Sequence, residues 1–278
     1  MAAVDPREDP ASVVAAQRVM LELWTILVHF ADAMTIVGGS APPLITGDDP
    51  DDPYVGTLDV DLVVDPVEVP DDVYRTIAEL LRARDYVQLD PPFRWLRSVV
   101  VDRRAIEVEI DLLAPVTPRV APGRRHERIG GEPLARRTLG AELVRAGHVD
   151  REISGMLPDG RSNRVSVRVA TPAALVVLKG LAMGERDKPK DAYDIDYLLR
   201  HVGVDEIAAG IAAFNLVEPV RRALVVFAAK FARVDTLGPT SVALYRRAQL
   251  HSAEADELQA LAFARVQRLL DLLRQRAR

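Results

Sequence analysis

The sequence predicts an α/β (α+β) protein: a small mixed-sheet lobe, residues 1–170, followed by an all-helical C-terminal lobe, residues 171–278. Three observations carry that expectation. Segments at residues 35–37, 59–64 and 105–113 run apolar or alternate with the period of a strand, and helical periodicity lies between them. Pro115, Pro118 and Pro122 interrupt the pattern as a linker does. From Thr171 onward the chain reads helical, ending in a run from Ser252 to Arg276.

Taken in order, the first element is an amphipathic helix over residues 12–33, with Val13, Met20, Leu23, Trp24, Leu27 and Phe30 as its buried stripe. Thr35-Ile36-Val37 is a short strand that runs into Gly38-Gly39-Ser40. Ser40 suits the N-cap of a following helix, and a glycine pair leading into a helix N-terminus can seat a phosphate. Ala41-Pro42-Pro43 removes two backbone donors from that first turn, and Gly47 to Pro53 reads as an acidic, solvated loop. A strand over 59–64 and a helix over 72–84 follow. Next comes a hairpin of Leu96–Val101 and Ala105–Leu113 about the turn at Asp102, with Asp111 at the strand end. Residues 123–170 are the least legible, apart from a hairpin turn at Asp159-Gly160.

In Asp59-Val60-Asp61-Leu62-Val63-Val64 the alternation sends Val60, Leu62 and Val64 to one face and both aspartates to the other. Paired carboxylates repel, and a shared hard cation, Mg²⁺ above all, relieves that repulsion. Downstream, Ile106, Val108, Ile110 and Leu112 alternate with Glu107, Glu109 and Asp111. Such a strand is an exposed edge or a metal-binding wall. Glu107 is assigned to the first and Asp111 to the second. By itself a Gly-Gly-Ser is usually a turn and an Asp-x-Asp a solvated strand face; their order and spacing together favour a site.

In the helical lobe Thr171 and Pro172 open a helix that runs to Met183 and stops at Gly184. Lys179 stands on it among apolar neighbours, so its ammonium either snorkels to water or meets an anion. After a turn at Arg186-Asp187-Lys188-Pro189, a second helix carries Lys190, Asp191 and Asp194 at helical spacing. Asp191 or Asp194 could serve as the anion for Lys179, making a plain inter-helix ion pair.

Gly38-Gly39-Ser40, then Thr57-x-Asp59-x-Asp61, then Asp111 on a later strand resembles the polymerase-β-type nucleotidyltransferase superfamily. Lys179, Arg186 and Lys190-Asp191-x-x-Asp194 narrow the resemblance to the AbiEii-type nucleotidyltransferase toxins of toxin–antitoxin and abortive-infection systems. The resemblance implies a nucleotidyltransferase lobe with the nucleotide in a cleft, an NTP substrate and two Mg²⁺ ions. Asp59, Asp61 and Asp111 would be the metal ligands, and Asp111 would also help deprotonate the acceptor. Gly39 and Ser40 would hold phosphates, and Gly38 and Thr57 would also bind the nucleotide. Lys179, Asp191 and Asp194 would face it from the second lobe as catalytic residues, and Lys179 or Lys190 would neutralise charge on the triphosphate. The implied acceptor is RNA, the tRNA 3′ end first and a protein side chain next, and a cognate antitoxin is an expected partner. An antibiotic-modifying enzyme and a non-catalytic nucleotide-binding protein are the alternative classes.

Composition narrows the remaining classes. With 49% hydrophobic residues in 278, the chain can bury one large core or two modest ones. It has no cysteine, which excludes disulfides and thiolate chemistry. The acidic, proline-bearing N-terminus is no signal peptide, and Ala223–Ala229 is too short to span a bilayer, so a cytoplasmic protein is expected. Aromatic residues make up 5%, which argues against a stacking platform for single strands. The net charge of −5 is unevenly spread. Arg119, Arg124, Arg125, His126, Arg128, Arg136 and Arg137 form one basic stretch, and Arg161, Arg164 and Arg168 a second. Each suits RNA phosphates or a plain solvated surface.

Overall fold

The computed structural model describes residues 9–47, 49–65, 71–116, 126–129, 132–246 and 252–276. They form two compact units, Met1–Ala170 and Thr171–Arg278. The first is a mixed sheet with helices and the second is helical, so the α/β class holds.

The first unit opens with α1 (Pro10–Ile26), which starts on Asp9 with a proline in its first turn. The helix expected to reach residue 33 instead tightens into a 3₁₀ segment, Val28–Ala33. Val28 and His29 are exposed there, so the apolar stripe that pins α1 to the sheet stops at Leu27. Then come β1 (Met34–Val37), a 3₁₀ turn at Gly38–Ser40, the short α2 (Ala41–Thr46) and β2 (Asp59–Val64). The chain continues through α3 (Asp71–Arg82), β3 (Val87–Gln88), β4 (Arg94–Val101) and β5 (Arg104–Pro115). Asp111 is therefore inside β5 and not at its end, and Pro115 pairs with Thr138 in the sheet instead of opening a linker. Pro118 and Pro122 lie outside the described residues.

The poorly legible stretch supplies β6 (His126–Ile129), β7 (Glu132–Thr138), β8 (His148–Met156) and β9 (Ser162–Ala170). The sheet is consequently larger than expected, nine strands among the described residues in the order β3-β4-β5-β2-β1-β9-β8, with β7 joined to β5 and β6. β2 is central, antiparallel to β1 and parallel to β5.

The two faces of the sheet differ in chemistry. Arg97 on β4 lies opposite Val108 and donates to Glu22 of α1 at 3.0 Å, so α1 covers the face that carries Val108 and Ile110. Glu22 sits buried in that contact and also accepts from the Tyr86 hydroxyl at 2.9 Å, which satisfies a buried carboxylate.

The second unit consists of α4 (Pro172–Glu185), α5 (Pro189–His201), α6 (Val204–Ala213), α7 (Glu218–Lys230), α8 (Leu237–Tyr245) and α9 (Ala253–Arg276). Thr171 caps α4 by accepting from the Ala174 amide at 3.3 Å. α4 passes Gly184 and ends at Glu185. Gly180 allows α7 close: a Cβ there would fall 2.6 Å from the Phe227 ring. In α5 the buried Asp196 is clamped by Arg200 at 3.0 Å and by Arg265 of α9 at 2.7 Å.

Candidate active site

The face of the sheet turned away from α1 collects the acidic residues. Register pairs Asp59 with Glu109 and Asp61 with Asp111 across the parallel β2–β5 ladder, and residues paired in register share a face. Asp59, Asp61, Glu109 and Asp111 thus stand together, while Val60, Leu62, Ile110 and Leu112 are buried on the other side. Glu107 is exposed, as expected of an edge residue.

β1 brings the glycine turn to this face. Val37 pairs with Asp61, and Gly38 follows with φ +65°. A Cβ on Gly38 would lie 1.9 Å from Asp61 Oδ2, so its missing side chain makes room for that carboxylate. Ser40 Oγ donates to the Asp59 carbonyl at 3.1 Å, fastening the turn to the start of β2. It makes no side-chain cap on α2, contrary to the expected N-cap bond, because α2 is a six-residue helix entered through Pro42 and Pro43. Gly39, Ser40 and Thr57 line a cavity of about 230 Å³ whose far wall is Val13, Gln17 and Met20 of α1. Among the described residues Asp59, Asp61 and Asp111 are not part of its lining. The expected nucleotide-binding residues are thus divided: Gly38 meets the carboxylates, and the other three open toward α1.

Sequence reasoning missed Arg94. It pairs with Asp111 across β4–β5, donating to its two oxygens at 2.8 and 3.2 Å, and lies 3.2 Å from Glu109. Hydrogen bonding to Asp111, against partial burial and with the charges of Asp111, Glu109 and Asp59, holds the guanidinium above its ordinary range. The signal lay in strand parity, since Arg94 shares the face of Asp111 only once the hairpin register is known. Among the described residues no group of three or more His, Cys, Asp or Glu side chains is arranged to hold a metal ion. The donor types fit a divalent ion at Asp59 and Asp61, two carboxylates that share one face of β2. They do not fit one at Asp111, which is occupied by Arg94.

In the second unit Lys179 meets anions. Its Nζ lies 3.2 Å from Asp191 Oδ1 and 2.6 Å from Asp194 Oδ2. Arg186 forks onto Asp191 at 2.8 and 3.0 Å, and Lys190 reaches Asp194 at 2.9 Å. Both aspartates are buried. Burial pushes their carboxyls up, but the Lys179 charge, joined by Arg186 on Asp191 and by Lys190 on Asp194, brings both below the ordinary value. For Lys190 burial dominates and lowers the ammonium despite Asp194. This is the inter-helix ion pair of the sequence reading, extended to five side chains.

Of the basic stretches, Arg119, Arg124 and Arg125 lie outside the described residues. Arg161, Arg164 and Arg168 pair with Asp159, Glu152 and Asp32. Among the described residues no helix is long and apolar enough to cross a membrane.

No curated protein matches the chain. A family does, described as nucleotidyl transferase AbiEii toxin of a type IV toxin–antitoxin (TA) system, over residues 51–276. The match includes the carboxylate strands and the Lys179 cluster and begins after Gly38-Gly39-Ser40. It supports nucleotidyl transfer as the general activity, with a nucleotide as substrate and an antitoxin as the implied partner of the system. Over most of its length, then, the chain belongs to the AbiEii nucleotidyl transferase toxin family.

Proposed function

We propose that the chain transfers a nucleoside monophosphate from an NTP to a hydroxyl of RNA, the tRNA 3′ end, acting in the cytoplasm as the toxin of its system. The observation that carries this reading is the β2–β5 register, which stacks four carboxylates on one face beside a glycine that leaves room for one of them. The acceptor oxygen bonds to the α-phosphorus, the bond from that phosphorus to the α,β-bridging oxygen breaks, pyrophosphate leaves, and the hydroxyl proton is released to water. Asp59 and Asp61 would hold Mg²⁺, which would supply charge to offset that of the triphosphate. Gly38, Gly39, Ser40 and Thr57 position the nucleotide.

Lys179, Lys190, Asp191 and Asp194 are assigned to nucleotide binding in the same reaction. With Arg186 their cluster brings three cationic side chains together, a chemistry that suits a polyphosphate. The test is pyrophosphate release from each NTP in the presence of Mg²⁺ and total RNA. Release by wild type and not by Asp61→Ala supports the reading; equal release by both contradicts it.

A further inference from the structure

Asp111 has a partner that competes with a metal ion. Arg94 faces it across the β4–β5 ladder and grips it with two parallel N–H bonds, while another nitrogen reaches Glu109. A planar guanidinium held by two strands and two carboxylates is preorganised, and unlike a lysine it cannot swing away as a single point charge. The Asp111 side chain is 17% exposed and that of Arg94 35%, so the contact is partly withdrawn from water. A dication placed on Asp111 would be repelled by that fixed charge at close range. Asp59 and Asp61 stand one strand over on β2, in register with Glu109 and Asp111, while the Arg94 guanidinium bonds Asp111 and reaches Glu109.

We propose that Arg94 stands in for a second divalent cation: the carboxylate face takes one ion, at Asp59 and Asp61, and Arg94 is the resident cation on Asp111. This rests on the nucleotidyl-transfer reading but goes beyond it, because the two-ion arrangement would serve that reaction equally well. It makes Arg94 a positioning residue whose charge is built into the sheet and does not vary with the supply of free metal.

The experiment counts ions. Full-length protein with a non-hydrolysable NTP analogue is titrated with Mn²⁺ and followed by electron paramagnetic resonance, in which two adjacent ions give a spin-coupled spectrum and a single ion does not. Wild type is expected to bind one Mn²⁺ per chain with an uncoupled signal, and Asp111→Asn to leave that count at one. Arg94→Met, which keeps the stem and deletes the charge, is expected to bind two with coupling. A coupled pair in wild type, a lower count in Asp111→Asn, or a single ion in folded Arg94→Met would each overturn the inference and leave nucleotidyl transfer standing. Absence of Mn²⁺ binding in wild type would overturn both. Should Arg94→Met not fold, wild type and Asp111→Asn decide the matter alone.

Discussion

Gly38 and Asp61 share a space that only one side chain can fill: a Cβ on the glycine would sit 1.9 Å from Asp61 Oδ2. The contact ties the glycine turn to the carboxylate face more directly than any phosphate role. Gly38→Ala must move Asp61 and also adopt φ +65°, a conformation that costs a non-glycine residue on the order of 1–3 kcal/mol. The expected outcome is a lower midpoint in chemical denaturation together with a loss of transfer larger than unfolding explains. A variant as stable and active as wild type would show the contact to be unimportant.

Asp61→Ala should leave the fold intact while abolishing transfer. The substitution removes one of four clustered carboxylates and relieves their repulsion, so stability is expected to hold or rise. Activity is expected to fall by at least about 10²-fold, the scale on which loss of one preorganised electrostatic group is felt. Near-normal turnover would refute the assignment of the carboxylate face as the reaction centre.

Lys179→Met leaves Asp191 with Arg186 and Asp194 with Lys190, but deletes the cation that bridges them. Breaking a buried pair this way costs about 3 kcal/mol. Denaturation of the full chain should report that loss. Nucleotide affinity, measured at a temperature where the variant is folded, separately reports the binding role; an affinity equal to wild type would confine Lys179 to the structure.

Acid should loosen α4 and α5. Burial, outweighed by Lys179 with Arg186 or Lys190, leaves Asp191 and Asp194 below the ordinary 3.8. Their stabilisation is therefore complete above the unfolded value and is lost as pH falls below about 4 through the folded values. Asp196 has the opposite sign, since burial outweighs Arg265 and raises it; its contribution weakens as pH rises above 3.8. Two carboxylates act below that value and one above it. Amide protection factors in α4 and α5 should drop as pH falls below about 4, and Lys179→Met should flatten the dependence. Protection that stays constant down the acid limb would contradict the assignment.

Expression of the wild-type chain without its partner gene should arrest growth, whereas Asp59→Ala should be tolerated. Colony counts after induction read this directly. Equal growth with both would detach the carboxylate pair from toxicity.

Much of the site was legible because it depends on local period. Alternation alone put Asp59 and Asp61 on one face of β2, and the Thr171-Pro172 signal fixed the start of α4. What escaped was long-range pairing. Arg94 gains its meaning from hairpin register, Glu22 from Tyr86 and Arg97 far along the chain, and Asp111 from the extension of β5 to Pro115. Between 126 and 170 the hairpin turn at Asp159-Gly160 ahead of β9 was legible, whereas β6, β7 and the extent of β8 were missed for a similar reason. β8 alternates without a strong apolar set because most of it is exposed, so it is held by its ladder to β9 and not by burial.

The most direct test of the central claim follows the label. Purified chain is incubated with Mg²⁺, total RNA and an NTP labelled either at the α- or at the γ-phosphate. Label from the α position alone should enter RNA and co-migrate with tRNA, and Asp61→Ala should give none. Transfer of the γ label would instead make the chain a kinase. RNA left unlabelled with every NTP would contradict the proposed nucleotidyl transfer to RNA.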